Sequence, residues 1–296
     1  MSLFRQGKTN VVFDICVYIV MLLLFCVIAY PMLIVVSSSF SSASAIMTGK
    51  IKFLPVDFTF DGYISFYKYE KIWVGMKNSA IYTLVGTVIN LILTILSAYP
   101  LARSDMRGRK YLMLFFLFTT WFSGGMIPSY LVMKDLKLIN TMWAMIVPGA
   151  LTVHYVIILR TTFEGLPDAL RESAYLDGCS DFQYLRRIAL PLSKATIAVI
   201  ALYYGVGHWN NYYTAKLYIT KNELQPLQTV LRSIILLGET QELEMLMSGS
   251  SGAAVVAGAE LLKYSSVVVS TIPILIVYPF VQRHLVKGVM IGAVKG

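Results

Sequence analysis

Charged residues are scarce in this sequence, and cysteines are few. Asp, Glu, Lys and Arg make up 14% of the 296 residues, whereas hydrophobic residues make up 57%. Soluble domains carry about 25% charged and about 45–50% apolar residues, so the composition indicates a polytopic membrane protein. Cys16 and Cys26 lie in one apolar run, and Cys179 lies in a distant polar loop. The cysteines therefore indicate neither a disulfide framework nor a zinc site.

A complete phosphate-binding loop is also missing. The segment 2–9 looks like one but lacks the first glycine and follows no strand, so we reject it as a nucleotide site. Ion-coupled carriers need ionisable groups within the membrane, and away from their ends the apolar runs contain only His154 and His208. We expect no catalytic residue, no metal site, and energy supplied by another chain. A secondary carrier and a structural or sensor protein are the alternatives from other classes.

Six apolar runs are long enough to cross a bilayer as helices, for which about 20 residues are needed. They are continuous rather than alternating, which is typical of helices and not of membrane barrels. The predicted spans are about 15–36, 79–101, 111–133, 141–159, 195–215 and 264–281. We therefore predict an all-α membrane protein with six transmembrane helices in a single transmembrane domain over 1–296. Residues 37–77 and 216–263 form loops on one side, and residues 160–194 form a polar loop on the other.

Positive charges predict the orientation of these spans. They crowd the short loop after the second span and the 160–194 loop, as cytoplasmic loops do. The residues concerned are Arg103, Arg107, Arg109, Lys110, Arg160, Arg171, Arg186, Arg187 and Lys194. We therefore predict that both termini are cytoplasmic and that the loops 37–77 and 216–263 are external. Cations beside anionic lipid explain most of the net charge of +9, so no nucleic-acid partner is indicated.

The 160–194 loop carries signals for two short helices. Pro167 suits the first position of a helix, and Gly178 suits its C-terminal stop because glycine readily adopts positive φ. Ser180 and Gln183 then have the spacing of a capping box. Pro191 is expected to end the second helix and lead into the fifth span.

Two functions fit this helix pair. Leu166, Leu170 and Ala174 are spaced to share one face, so the pair can lie on the membrane surface with Arg186 and Arg187 at the headgroups. Alternatively, the pair docks on a partner protein. The complete spacing from Glu172 to Pro191 favours docking.

Four segments resemble the carbohydrate-importer permeases of type I ABC transporters. They are residues 122–128, the 172–191 loop motif, residues 206–210 and residues 288–296, and the resemblance covers nearly the whole chain. It is to the smaller, maltose-type six-helix subunit, and within that group to the lipoprotein-associated oligosaccharide branch. The loop motif is specific for ABC permeases as a class, whereas the other segments indicate sugar. One departure is Ser173, where the family usually has alanine.

The resemblance implies the type I importer-permease fold, with residues 160–194 as a cytoplasmic coupling-helix loop that docks on an ATPase. The coupling residues it implies are Leu170, Glu172, Ser173, Ala174, Asp177 and Gly178. In this family the C-terminal tail can also reach the ATPase, here through Val294, Lys295 and Gly296. Plain disorder is the alternative for the tail, since it is common at termini.

The resemblance further implies a multi-pass subunit of the bacterial plasma (inner) membrane, forming half of an alternating-access pathway for an oligosaccharide. Its implied partners are a homologous second permease, two ATPase subunits that bind ATP and Mg²⁺, an extracytoplasmic solute-binding protein and the lipid bilayer. The chain itself is expected to bind no cofactor and to be no enzyme. A permease for a non-sugar solute, such as an amino acid or phosphate, is the alternative within the class.

The end of the fifth span is one candidate for the substrate pathway. Tyr213 is spaced to share a helix face with both Trp209 and Asn210, and we favour these three over His208. Aromatic rings stack on sugars and amides bond sugar hydroxyls. An aromatic belt at the membrane interface is the equal alternative. His154 is expected to be neutral and packed against a neighbouring helix.

The third span offers a second candidate. Gly124, Gly125 and Pro128 predict a break, which lipid tolerates only where protein or a cavity covers the freed backbone groups. A plain packing kink is the alternative.

Outside the membrane, residues 227–237 have helical spacing and precede acidic and small residues that either receive the solute-binding protein or simply connect spans. These are Glu239, Glu242, Glu244 and residues 248–254.

Overall fold

The computed structural model describes residues 8–236 and 253–293, and all regular secondary structure among them is helical. The predicted all-α class is confirmed. Three helices contain stretches long and apolar enough to cross a membrane: α1 (Lys8–Ser39), α4 (Glu70–Ala102) and α15 (Ala253–Ala293). Three pairs of helices, each bent by more than 40° at a short break, bring the number of spans to as many as six.

Shorter α-helices connect or complete these spans. In chain order they are α2 (Ala43–Met47), α3 (Asp61–Lys68), α5 (Arg109–Trp121), α6 (Met126–Asp135), α7 (Trp143–Ile146), α8 (Val153–Glu164), α9 (Asp168–Leu176), α10 (Asp181–Tyr184), α11 (Leu190–Leu192), α12 (Lys194–Trp209), α13 (Tyr213–Tyr218) and α14 (Leu227–Leu236). Two 3₁₀ turns lie at Val147–Gly149 and Asn222–Leu224, and a π-helical turn lies at Leu185–Ala189.

Glycine and proline account for the breaks in the third and fourth spans. The bend between α5 and α6 is 112°, and Gly125 takes φ +87° there, so the predicted break is present. Pro128 lies in the first turn of α6, where its missing N–H costs no helical hydrogen bond. The bend between α7 and α8 is 57°, with Pro148 in the 3₁₀ turn between them.

The predicted fifth span differs from the structure. It was expected to continue to residue 215, but α12 ends at Trp209 and α13 begins only at Tyr213. The other predicted spans, 15–36, 79–101 and 264–281, lie within α1, α4 and α15. Helix α4 begins nine residues before residue 79. The membrane boundaries of all six spans stay predictions.

The chain divides into two compact units, of which the first comprises Met1–Glu70 and Leu231–Thr271. Within it, part of the predicted loop 37–77 folds around an aromatic cluster. The ring centroids of Phe40 and Tyr63 are 4.9 Å apart, and those of Phe58 and Phe60 are 5.1 Å apart. The hydroxyls of Ser39 and Tyr63 share a 2.8 Å hydrogen bond. This part of the loop therefore has a small core of its own.

The second unit comprises Lys71–Val230 and Ile272–Gly296. One of its hydrophobic clusters joins the C-terminal half of α4 to α8, α12 and the 160–194 loop. Its buried members are Ala98, Leu101, Val156, Leu159, Phe163, Ala174, Tyr184, Leu185, Ala189, Ile200 and Tyr204. This cluster, called the loop core below, positions the predicted coupling loop.

Candidate coupling loop and membrane cavity

The first helix of the 160–194 loop ends as the sequence predicts. Helix α9 covers Asp168–Leu176, with Pro167 one residue outside it rather than at its first position. Gly178 takes φ +79°, and its N–H donates to the carbonyl of Tyr175 at 3.0 Å. A side chain is strained at such a φ. The predicted glycine stop is therefore confirmed.

The second helix begins as predicted but ends differently. The Gln183 N–H donates to Ser180 Oγ at 3.4 Å, and the Ser180 N–H donates to Gln183 Oε1 at 2.9 Å, so the capping box is present. Pro191 does not end the helix, which continues to Leu192. Proline lacks an N–H and clashes with a normal α-helical turn. The wider π turn at Leu185–Ala189 accommodates that defect, and the chain then bends by 82° into α12.

Ala174 holds this loop onto the rest of the second unit. Its residue is only 5% exposed and belongs to the loop core. The prediction that Ala174 lies in the docking surface is wrong, because its side chain is not accessible to a partner. The predicted common face is present only in part: Leu166 precedes α9 but packs against the same loop core as Ala174, whereas Leu170 is exposed.

The opposite side of α9 faces away from the loop core. Glu172, Ser173, Asp177 and Gly178 are exposed there. Two large apolar residues that the sequence pattern did not single out are also exposed, Leu176 at 89% and Phe182 at 66%. Four-residue spacing from Glu172 would have found Leu176. We define the coupling surface as Glu172, Ser173, Leu176, Asp177 and Phe182. Apolar side chains exposed together in this way mark an interaction surface.

A cluster of charged groups ties the loop to the turn after α4. Arg103 Nε donates to Asp105 Oδ1 at 2.9 Å, and its terminal nitrogens donate to Asp105 and to Asp181. The Tyr175 hydroxyl also donates to Asp181. These four residues are called the Arg103 cluster below. It connects the α4–α5 turn to α9 and to the first turn of α10.

Hydrogen bonds in the Arg103 cluster stabilise its charges. The hydrogen bond from Arg103 holds the pKa of Asp105 at about 2, and that same bond raises the pKa of Arg103. Burial and then the bond to Asp181 raise the pKa of Tyr175 to about 12. In the sequence Arg103 indicated only orientation, and the two acids were not singled out.

A cavity of about 280 Å³ with both polar and apolar lining residues lies between α4, the α7–α8 break and the C-terminal end of α12. Its lining, as far as the described residues form it, contains no Asp, Glu, Lys or Arg. We call it the tyrosine cavity. Tyr155, Tyr203 and Tyr204 line it, together with residues that include Asn90, Thr152, His208 and Asn211.

Neutral hydrogen bonds join the helices around the tyrosine cavity. Asn90 Nδ2 donates to the carbonyl of Gly149 at 3.2 Å and lies 3.1 Å from His208 Nε2. Tyr204 accepts from the Thr152 N–H at 3.1 Å, and its hydroxyl shares a 2.9 Å bond with Thr94. These bonds link α4, the α7–α8 break and α12.

Close packing at Gly86 fixes the position of His208. A Cβ atom placed on Gly86 would lie 2.5 Å from His208 Nε2 and 2.7 Å from Cε1. Real Cβ atoms essentially never come so close to a neighbour, so only glycine fits while the imidazole keeps its place. Glycine is common where helices approach closely in membranes.

The structure separates the predicted substrate-pathway residues. Trp209 is buried beside a different, apolar cavity of about 540 Å³. Asn210 caps the C-terminal end of α12, and Tyr213 is the first residue of α13. Their predicted common face is therefore wrong, since no continuous helix joins them. The Tyr213 hydroxyl donates to Met126 Sδ at 2.9 Å, next to Gly125, and both Gly125 and Pro128 are exposed.

His154 also differs from its prediction. It is exposed rather than packed against a neighbouring helix within the described part of the chain. His208, which we ranked below the other pathway candidates, is buried and hydrogen-bonded. Sequence spacing alone does not distinguish these two histidines, because each lies within an apolar run.

The N-terminal part of α4 binds a distant segment. Asn78 Nδ2 donates to the carbonyl of Glu223 at 2.7 Å, and the Tyr82 hydroxyl donates to that of Leu224 at 2.8 Å. Ser79 Oγ accepts from the N–H of Leu227 at 2.9 Å, where α14 begins. The predicted helix at 227–237 is confirmed as α14.

Several predictions fall on residues outside those that the structure describes. They concern the acidic patch and most of the small-residue run, the possible tail contact and the start of the segment 2–9. The residues are Glu239, Glu242, Glu244, 248–252, Val294, Lys295, Gly296 and 2–7.

Comparison with known proteins agrees with this arrangement. Protein LplC of Bacillus subtilis (strain 168) is 39% identical over 292 residues, covering 99% of this chain and 98% of its own. The polygalacturonan/rhamnogalacturonan transport system permease protein YtcP of the same organism is 37% identical, covering 97% of this chain and 99% of its own. The arabinooligosaccharides transport system permease protein AraQ of Halalkalibacterium halodurans is 27% identical, covering 90% of this chain and 91% of its own.

The fold also matches a solved structure. A chain from the crystal structure of a bacterial ABC transporter involved in the import of the acidic polysaccharide alginate superposes with a TM-score of 0.84 at 30% identity, covering 95% of this chain and 99% of that one. The fold is that of a type I ABC-importer permease. Residues 72–291 match the family described as binding-protein-dependent transport system inner membrane component. The chain belongs to this family.

Proposed function

We propose that this chain is the membrane-spanning subunit of an ATP-driven importer for an oligosaccharide. The coupling surface is the observation that carries the proposal. It combines exposed apolar side chains, Leu176 and Phe182, with the carboxylates of Glu172 and Asp177. In this family separate subunits hydrolyse ATP, so the chain is a transport subunit rather than an enzyme.

The loop is built to pass on a movement of that surface. The buried Ala174 packs α9 against the loop core, and the Arg103 cluster holds the loop to the end of α4. A displacement of the coupling surface therefore moves α4, α8 and α12 together. We propose that closure of the ATPase subunits on ATP draws the coupling loops together and opens the pathway outward, and that hydrolysis resets it.

The partners follow from family membership. A second permease, an ATPase and a solute-binding protein are implied, and we propose a homologous second permease and two copies of the ATPase, which bind the ATP and Mg²⁺. We propose that both termini are cytoplasmic in the inner membrane, that the tail residues 294–296 contact the ATPase and that Leu170 and Gly178 lie at the edge of the docked loop. Oligosaccharide transport is supported by the names of relatives such as the arabinooligosaccharides permease AraQ.

Reversal of the Glu172 charge tests the docking. Glu172→Lys leaves the fold intact because the side chain is exposed, but it places a cation in the docked surface. We expect the assembled importer in proteoliposomes to lose most of its transport-coupled ATP hydrolysis. Glu223→Lys is the matched control, since Glu223 is also exposed and lies far along the chain from the loop.

Two outcomes contradict the proposal. Full coupled hydrolysis by Glu172→Lys places the ATPase elsewhere. Uptake that persists without ATP hydrolysis and collapses with an uncoupler makes the protein a secondary carrier.

A further inference from the structure

We propose that the tyrosine cavity binds one uncharged sugar ring of the transported oligosaccharide. This inference rests on the proposed function and adds to it the place and the chemical class of a substrate contact in this subunit. The predicted pathway residues Trp209 and Tyr213 lie on different parts of the structure. The cavity is formed instead by neutral groups on three helices.

Two tyrosine hydroxyls make the cavity suitable for binding ligands that carry hydroxyl groups. The hydroxyls of Tyr155 and Tyr203 make no hydrogen bond to any residue that the structure describes. That of Tyr204 is already bonded to Thr94 and Thr152. Tyrosine hydroxyls within a membrane protein normally find a polar partner. Two hydroxyls with no partner among the described residues therefore leave donors and acceptors for a ligand.

The rings of the same tyrosines offer a stacking surface. Tyr155 and Tyr203 are parallel, with centroids 5.8 Å apart and an interplanar angle of 9°. Tyr203 is 50% exposed, so much of this residue stays open although its ring stacks on that of Tyr155. Binding pockets commonly combine aromatic walls with a few polar groups that fix orientation. The apolar face of a pyranose ring can pack against the exposed part of such an aromatic wall.

The uncharged lining favours neutral sugars over charged ones. Among the residues that the structure describes, no Lys or Arg lines the cavity to pair with a carboxylate, and no Asp or Glu lines it to pair with an amino sugar. An ion enclosed in low-dielectric surroundings without a partner is strongly disfavoured. A neutral glycosyl unit fits the lining, whereas a uronate does not.

Size and rigidity limit the site to one ring. The volume of about 280 Å³ is near the lower end of the roughly 300–1,000 Å³ that is usual for ligand pockets. The frame is held by the Asn90 bonds to Gly149 and His208 and by the contact of Gly86 with His208. A preformed frame lowers the ordering cost of binding.

Uptake by the complete importer in proteoliposomes tests the inference. The probes are labelled neutral trisaccharides (xylotriose, mannotriose, galactotriose and maltotriose) and labelled trigalacturonate. We expect wild type to import at least one neutral trisaccharide, and Tyr203→Ala to raise its KM about tenfold, equivalent to about 1.4 kcal/mol. Tyr203→Phe keeps the ring and loses only the hydroxyl, so about a threefold rise is expected. Tyr111→Ala is the matched control, because Tyr111 is exposed and does not line the cavity.

The outcomes distinguish failure of the sugar site in the tyrosine cavity from failure of the proposed importer function. An unchanged KM in both Tyr203 variants overturns the inference, as does import of trigalacturonate in preference to every neutral probe. Should Tyr203→Ala fail to assemble, the KM of Tyr203→Phe decides alone. If wild type shows no ATP-dependent uptake of any oligosaccharide, the proposed function itself fails.

Discussion

The Arg103 cluster and the network around the tyrosine cavity both attach α4 to its neighbours, but they do so with opposite chemistry. The Arg103 cluster uses full charges, and more than half of the Asp105 and Asp181 side chains is exposed. The cavity network uses only neutral groups, with Asn90 and Thr94 almost fully buried. Charges are tolerated in water, whereas a charge at the bilayer centre costs at least about 2.5–3.5 kcal/mol.

The two regions should therefore respond differently to mutation. Exposed ion pairs contribute only about 0.2–1 kcal/mol each, so the Arg103 cluster affects the transmission of movement more than stability. A buried polar group that loses its partner costs about 1–3 kcal/mol, and a side chain at position 86 would have to displace the His208 imidazole. The cavity network therefore affects stability as well as transport.

The largest effect is expected for Gly86→Ala. The new methyl group must displace His208, which breaks the bond to Asn90, and such overpacking costs about 1–3 kcal/mol. We expect a clearly lower unfolding temperature of the purified importer, measured by intrinsic fluorescence, together with reduced uptake. Gly258→Ala is the control, since no atom of the described residues lies within 4 Å of the added atom. Equal unfolding temperatures for the two variants would mean that His208 is free to move.

A smaller effect, on coupling alone, is expected for Arg103→Ala. Loss of the pair with Asp181 loosens the loop, and a contribution of up to about 1 kcal/mol corresponds to at most roughly a fivefold loss of transport-coupled ATP hydrolysis. The unfolding temperature should stay close to that of wild type. Arg103→Lys should be intermediate, because one ammonium group cannot reproduce the planar fork that bonds both acids.

Arg107→Ala is the control for this experiment. Arg107 is exposed in the same turn and makes no ion pair with the described residues. If Arg107→Ala lowers coupled hydrolysis as much as Arg103→Ala, the effect comes from net charge rather than from the cluster.

The smallest effect is expected from pH. Asp105 has a lowered pKa, so its contribution to stability is complete above its ordinary pKa of 3.8 and is lost as the pH falls through about 2. Tyr175 has a raised pKa, so its contribution is complete below its ordinary pKa of 10.0 and is lost as the pH rises through about 12. From about pH 4 to 10 we expect Arg103→Ala to differ from wild type by a constant factor in coupled hydrolysis. A factor that changes with pH inside this window would contradict these assignments.

Local signals predicted the local structure of the coupling loop. The stop at Gly178 and the cap at Ser180 depend on neighbouring residues alone, so spacing was enough to place them. The break near Gly125 was also predicted because two glycines and a proline leave few alternatives. By contrast, the end of α12 at Trp209 has no glycine or proline just after it, and the helical pattern was extended too far.

Long-range contacts could not be predicted in this way. Whether Ala174 faces a partner or the loop core depends on α4 and α8, which supply the core. Arg103 and Asp181 are 78 positions apart, and Asn90 and His208 are 118 apart. Nothing in the spacing of one segment indicates a partner so far along the chain, so both the Arg103 cluster and the tyrosine cavity appeared only in the folded structure.

Helix α4, which forms the second span, contacts other parts of its unit at three levels along the helix axis. Asn78 is hydrogen-bonded to the segment before α14, Asn90 to the cavity network, and Ala98 belongs to the loop core. At about 1.5 Å per residue, Asn78 lies roughly 30 Å along the helix axis from Ala98. One inserted residue between them would turn one end of α4 by about 100° relative to the other. The helix is therefore fixed in rotational phase as well as in length, and an insertion or deletion within it would separate contacts that a substitution leaves in place.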